Sequence, residues 1–322
     1  MLIENPKIYT GTEAENIFFR PSFCGESAKD LGIRVIYNMP MPTTVQVWEQ
    51  PGHVLQKFTN GWNGGSNATK FQKEIAMRKV KAEMCFAAED YFSMVYEKIV
   101  NSSDVNMGDL TGTELEKAET ELFRKAIAEA VRATMWLGDE SGEISNLKTF
   151  NGFFRSILNS FAGEEDVIAK AIEDPEELPT ATEMFATCWK DATTELHNLR
   201  SDGQLVYFVS PDIYNKYIEE LDSKGTDSAY LDTINGHQTL YYHGIPIIEV
   251  PLGVYAIKKF SSFCLLTDRR NMVLALNTAD MPENEVRMWY NPDQMENRQR
   301  AVFLAGAEVI DQRLVSLYYT TY

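Results

Sequence analysis

The chain has 322 residues, 44% of them hydrophobic, which is enough apolar material for one large or two modest domains. Its 47 acidic residues outweigh 30 basic ones for a net charge of -17, without a block of five or six like charges. That balance argues against a protein built to grip DNA through a basic face, and suits either an ordinary soluble surface or a wall that encloses nucleic acid without adhering to it.

Residues 1 to 32 read as an N-terminal arm. They hold turn formers and the aromatics Phe18, Phe19 and Phe23 without a sustained period, so the arm is expected to lie on another surface, its own subunit's or a neighbour's. Residues 33 to 80 read as a long β-hairpin excursion. Arg34–Tyr37 and Thr43–Trp48 go out, a turn-rich tip spans Asn60–Asn67, and the chain returns with Phe71, Ile75 and Met77 on one side. A hairpin of that length is marginal in water unless something covers a face, so an intermolecular contact is expected there. Within it Trp48, Phe58 and Trp62 are the candidate inter-subunit contacts, with Gln50–Thr69 the distal part.

Helical spacing follows. Ala88–Val100 places Tyr91, Phe92, Val95, Tyr96 and Ile99 on one stripe. Thr113 and Glu116 have the spacing of a capping box. Behind them Leu115, Ala118, Leu122, Phe123, Ala126, Ile127, Ala130, Val131, Thr134 and Met135 keep an i, i+3, i+4, i+7 pattern until Gly138, and Phe123, Ile127 and Val131 are expected at the centre of its core face. The acidic loop of Asp139, Glu140 and Glu143 is expected to be solvated. A further helix should carry Phe185, Cys188, Trp189, Ala192 and Leu196 inward. Leu205–Val209 reads as a buried strand, with Ser210 and Pro211 opening a helix as N-cap and N1. Residues 226 to 281 are mainly β, with strands at Phe260–Leu266 and Met272–Leu276 around a turn at Thr267–Asn271. The chain closes on a strand with Ala301, Phe303 and Ala305 on one face and Arg300, Val302 and Leu304 on the other, a Gly306-Ala307 step, and an aromatic-rich strand to Tyr319. An ending of this kind must pair with something distant in sequence.

Catalytic and metal signatures are weak. His53, His197, His237 and His243 are scattered with no HExxH pair, and the Gly-rich tip at Gly61–Lys70 lacks phosphate-loop spacing. No GxSxG is present. Cys24, Cys85, Cys188 and Cys264 lie more than sixty positions apart, so free thiols in a reducing compartment are expected and the sequon at Asn67 is expected to be idle. No run nears the roughly 18 apolar residues of a membrane span, and the N-terminus lacks a signal-peptide pattern. No catalytic residue, cofactor or metal is expected.

Taken in order, these elements resemble the major capsid protein of tailed bacteriophages of the Hong Kong 97 type. The matching phrases are GlyAspGluSerGlyGluIle (138–144), LeuValTyrPheValSerProAspIleTyr (205–214), GlyIleProIleIleGluValPro (244–251) and LeuThrAspArgArgAsnMetValLeuAlaLeu (266–276). The resemblance implies an α+β fold with an N-arm (1–32), an extended loop (33–80), a spine helix with peripheral domain (81–225), an axial domain (226–281) and return strands of the peripheral domain (282–322). It implies a subunit that self-assembles as hexamers and pentamers into an icosahedral shell around phage double-stranded DNA, without sequence-specific DNA binding. Location in a virion, assembled in the host cytoplasm, is implied with it. Many family members begin with a helical scaffolding segment, and this chain enters its arm almost at Met1. A separate scaffolding protein is therefore expected, along with a portal and decoration proteins. Lys57 has no alignable Asn partner, so no covalent crosslink is expected. An encapsulin-type shell is the near alternative, and a cytosolic hydrolase with an unrecognised site is the alternative of another class.

Overall fold

The computed structural model describes residues 7–20, 32–38, 43–49, 60, 69–87, 114–161, 168–172, 179–223, 240–252, 260–278, 285–291, 293–294 and 296–320. The strands are β1 (Lys7–Thr10), β2 (Arg34–Tyr37), β3 (Thr43–Glu49), β4 (Thr69–Ile75), β5 (Arg78–Ala87), β6 (Ile168–Ile172), β7 (Leu205–Val209), β8 (Leu240–Tyr242), β9 (Ile245–Glu249), β10 (Phe263–Asp268), β11 (Met272–Asn277), β12 (Glu285–Asn291), β13 (Glu296–Val309) and β14 (Val315–Thr320). The helices are α1 (Gly11–Ala14), which continues as a π turn over Glu15–Phe19, then α2 (Glu114–Leu137), α3 (Phe153–Phe161), α4 (Ala181–Asp191), α5 (Thr194–Asn198) and α6 (Pro211–Ser223).

One six-stranded sheet runs β1-β12-β13-β11-β2, with β5 on the other edge of β13. β13 holds this sheet together. Its 14 residues extend about 46 Å at roughly 3.3 Å each, long enough for β12 and β11 to pair in tandem along one edge while β5 pairs along the other. The second sheet runs β6-β14-β10-β7-β9-β8, with β7 and β10 buried at every position. The terminal β14 pairs antiparallel with β10 and parallel with β6, residues distant in sequence. The expected segment boundaries at 225 and 281 cut through both sheets: β7, β10 and β14 share the second sheet, and β5, β11 and β13 share the first.

The chain passes between the sheets twice at one place. β10 enters β11 through a 3-10 turn at Arg269–Asn271, and β13 enters β14 through another at Gln312–Leu314. Asn271 ties them: its Oδ1 accepts from Asp311 N at 2.7 Å, its Nδ2 donates to Asp311 O at 2.8 Å, and its backbone O accepts from Ile310 N at 3.0 Å. Each turn opens on an aspartate that accepts from the backbone N two residues on and pairs with that residue's guanidinium, Asp268 with Arg270 and Asp311 with Arg313.

The main core lies between the first sheet, α2, α3 and the near face of the second sheet. Phe123, Ile127 and Val131 of α2 are exposed by only 1–3%. At the far end of α2 burial spreads around the helix to Ala133, Thr134, Met135 and Trp136, since elements of both sheets and α3 surround it there. Trp136 sets its ring centroid 5.3 Å from Phe153, 5.2 Å from Phe208 and 6.0 Å from Phe263. Leu122 and Ala130, expected on the core stripe, are exposed instead, because the stripe drifts off the sheet at its margin. The helix stops where expected. A Cβ on Gly138 would meet Phe150 O at 2.2 Å and one on Gly152 would meet Thr134 O at 2.7 Å, so the two glycines let the chain double back against the helix end.

Over residues 7–20 the N-terminal segment lies on its own chain, one of the two surfaces expected for it: β1 pairs with β12, Phe18 packs on Phe123 and Phe19 packs on Phe303. Several other expectations are corrected. Arg34–Tyr37 does not belong to the hairpin but joins β11 in parallel, which leaves β3 and β4 as its described strands. The Gly306-Ala307 step does not interrupt the last long strand, which runs on to Val309. A second helix starts after Ala192, with Leu196 buried in α5. The Ser210 hydroxyl accepts from Phe263 N, tying the α6 start to β10. The expected helix at 88–100 and the N-cap Thr113 lie outside the described residues.

Replacing Phe123 by Ala should cost about 2–5 kcal/mol of stability, since it removes a ring packed between Phe18 and the sheet. Leu122→Ala, on the exposed side of the same turn, should cost well under half of that in chemical denaturation. Equal losses at the two positions would contradict this packing.

Candidate functional site

The resemblance drawn from the sequence implies a protein that works through surfaces, so the candidate site is the expected contact region and the way it is mounted. β3 and β4 pair antiparallel over Thr43–Glu49 and Thr69–Ile75, and the root of this hairpin is built into the subunit. Ile75 and Met77, 2% and 3% exposed, pack with Val273, Ala275, Leu304 and Ile310, with Ile36 and Val45 at the margin. Gly306 marks the crossing: a Cβ there would meet the backbone O of Ala76 at 2.6 Å, so β13 takes a glycine where the hairpin root passes over it. The expectation that the hairpin lacks cover in its own subunit is therefore corrected at its base.

Trp48 belongs to β3, opposite Lys70 of β4. Phe58 and Trp62 lie outside the described residues, as does Lys57. Phe123, Ile127 and Val131 line the core beneath α2. Of the histidines, His197 places Nε2 2.7 Å from the backbone O of Trp189. His243 occupies the β8–β9 turn at φ 49. His53 and His237 fall outside the described residues. Cys188 and Cys264 are buried with Sγ atoms 3.5 Å apart, and Cys85 is exposed.

Two features escaped the sequence reading. Glu308 of β13 accepts from Ser156 Oγ of α3 and faces Lys73 of β4 across 3.8 Å, so an acidic group below the hairpin holds one of its lysines. Burial pushes the Glu308 carboxyl above the usual glutamate range, against the opposing pull of Ser156, Lys73 and the Val309 N–H. The strand alternation of β13 could have flagged this carboxylate, but not the lysine that meets it. The acidic loop after α2 is likewise not simply solvated. Glu140 Oε1 accepts from Arg78 Nε at 2.7 Å and Asp139 lies 3.5 Å from Arg155 Nε, pinning the loop to β5 and α3.

No protein-family model matches the chain, and no curated protein matches it in sequence. Solved structures do. A chain of the satellite phage P4 procapsid that includes the size determination (Sid) protein aligns at a TM-score of 0.58 with 11% identity, covering 95% of this chain and 90% of that one. The capsid of Ralstonia phage GP4 aligns at 0.54 with 11% identity over 100% and 93%, and Gordonia phage Cozz at 0.51 with 13% identity over 91% and 85%.

The raised Glu308 pKa has a checkable sign. A carboxyl whose folded pKa lies above its unfolded value of about 4.5 stabilises most below that value, and the contribution is lost as pH rises through the folded pKa. Glu308→Gln should thus melt closest to or above the parent near neutrality, and lose ground to it as pH falls toward about 4. A melting difference that does not change with pH would show that the carboxyl is not held above its normal range. At near-complete length, these alignments establish that the chain has the α+β fold of phage capsid structures.

Proposed function

We propose that this protein is the major capsid protein of a tailed bacteriophage or prophage. Many copies self-assemble into an icosahedral shell around double-stranded DNA. The observation that carries the reading is the alignment with the P4 procapsid chain, which runs through nearly the whole of both chains with no large unmatched domain. An end-to-end match supports one role for the whole chain.

The rest of the molecule is consistent in kind. Its net charge of -17 suits a wall that must not bind its contents tightly. Its sheets place hairpin and edge strands at the periphery, where a neighbouring copy can meet them. The role is structural, not enzymatic: affinity comes from many modest contacts multiplied by closure of the shell. A scaffolding protein, a portal and decoration proteins are the partners this reading implies, with assembly in the host cytoplasm and residence in the virion. An encapsulin-type shell is not favoured, since the structures that align are phage capsids.

Overproduced alone or with a scaffolding partner, the protein should form hexamers, pentamers, tubes, sheets or shells visible by electron microscopy. A monodisperse monomer at high concentration under both conditions would defeat the reading.

A second experiment separates folding from assembly. The hairpin root is packed in the subunit while its distal part, Gln50–Thr69, carries Phe58 and Trp62 as candidate contacts. Replacing that part with a short Gly-Ser turn should leave a soluble subunit with a cooperative melt, because loop length costs little entropy. The same variant should fail to build stable shells. Normal shells would show that the distal hairpin is not the intersubunit contact.

A further inference from the structure

The first sheet has two faces. One packs on α2. The other is covered at its β11 end by the hairpin root, on Val273, Ala275 and Leu304. Among the described residues, that cover ends along the same face toward β12 and β1. The register places Ile8, Arg287, Arg300 and Glu83 directly across from one another on β1, β12, β13 and β5. Trp289, Arg298 and Cys85 form the row beside it, and Val302 and Lys81 lie in the row on the other side. An open concavity of about 660 Å³ lined by Lys79, Val80, Lys81, Glu285, Arg300 and Val302 opens here.

Its electrostatics run against those of the chain. In a protein with 47 acidic and 30 basic residues, the patch gathers Lys79, Lys81, Arg287, Arg298 and Arg300 around Glu83, Glu285 and Glu296. Arg300 is matched by Glu285 at 3.0 Å, Arg298 by Glu296 at 3.4 Å, and Lys81 by Glu83 at 2.8 Å. Arg287 is not, among the described residues. It stands directly opposite Arg300, an arrangement of like charges that destabilises a sheet unless something compensates it. Both guanidinium carbons sit 5.8 Å from the Trp289 ring, and the Nε of each is buried without a hydrogen-bond partner. Ile8, 47% exposed, adds an apolar contact on the edge strand.

We propose that this face is an intersubunit contact that receives carboxylates of a second copy of the chain, at the Arg287–Arg300 pair. The inference rests on the shell reading above and names one of its contacts. Charge complementarity identifies the occupant, since another copy offers acidic surface in excess. The interleaved carboxylates also favour protein over nucleic acid: a phosphate backbone is met best by uncompensated cations, whereas alternating charge suits the mixed rim of a protein interface.

The test uses the full chain. Arg287→Gln combined with Arg300→Gln should leave the subunit's circular dichroism and melting close to the parent's and reduce assembly roughly tenfold or more. Parent assembly should weaken as salt rises from about 0.05 M to about 0.5 M, and the variant should lose that dependence. If the double variant melts early, Arg287→Gln alone carries the test, since it leaves the Arg300–Glu285 pair in place. Carbodiimide coupling of mixed isotope-labelled and unlabelled shells should give peptides joining Lys79 or Lys81 to a carboxylate of another copy. Unchanged assembly, or coupling only within one copy, overturns the contact while leaving the shell reading intact. Unchanged assembly with loss of retained DNA overturns it in favour of a nucleic-acid face. A parent that never assembles overturns both.

Discussion

The rest of the structure depends on the clasp at Asn271. Two sheets that share strands from the whole length of the chain have to be held in one relation, and the two crossing turns lie side by side to do it. An asparagine amide offers a donor and an acceptor in nearly the geometry of a peptide group, so one side chain satisfies both the N–H and the C=O of Asp311. The residue is 4% exposed, where water could not easily replace those partners. The flanking aspartates fix the two turns themselves, each using one carboxylate for its own backbone and its arginine. With the crossing fixed, Phe208, Phe263 and Leu265 of the second sheet and Leu274, Phe303 and Ala305 of the first become parts of one core. Relative motion of the sheets would open that core, so the pair behaves as a single body.

Periodicity made the elements legible, and it fails in predictable places. The long helix, the buried strand at Leu205–Val209 and the closing strands show themselves because one face, or both, is apolar at the right spacing. The N-terminal segment was read as an arm since its aromatics follow no strand or regular α-helical period. A π turn at Glu15–Phe19 places Phe18 and Phe19 side by side in the core. Only the first residues of β5, 78–80, were read as strand, as the end of the hairpin, and the rest of it was not recognised. Lysines and glutamate on its outer face mask an inner face of Val80, Ala82 and Met84. The capping box at Thr180 and Glu183 was present as Thr-x-x-Glu and went unused. Tertiary facts had no local signal at all: that Lys73 meets Glu308, or that Arg287 faces Arg300, follows only from which strands pair.

Glycines show the same limit. Gly138 was read correctly as a helix stop, but the reason it is glycine is the carbonyl of Phe150, close against it. Gly306 was read as a break and is instead a point of contact, where the hairpin root crosses an unbroken strand. A glycine inside a strand pattern marks either a bend or a close approach, and sequence cannot choose between them. Here the close approach has a structural consequence. It brings Ile75 and Met77 onto the strand and so fixes the base from which the hairpin projects.

These constraints also explain how a fold can persist at 11% identity while no sequence family is recognised. Pairing register is specified by which positions face the core, and a one-residue slip would turn every side chain of β13 to the wrong side. That specification needs alternation and volume, not particular residues, and cores tolerate extensive exchange among apolar side chains of similar size. The positions with narrow chemistry are few: an amide at the clasp, aspartates opening two turns, and glycines where backbones touch. They are scattered over more than 160 positions, from Gly138 to Asp311, so no local stretch concentrates them. What such a chain retains is the order and spacing of its elements, which is why order carried more information in the sequence than any single motif did.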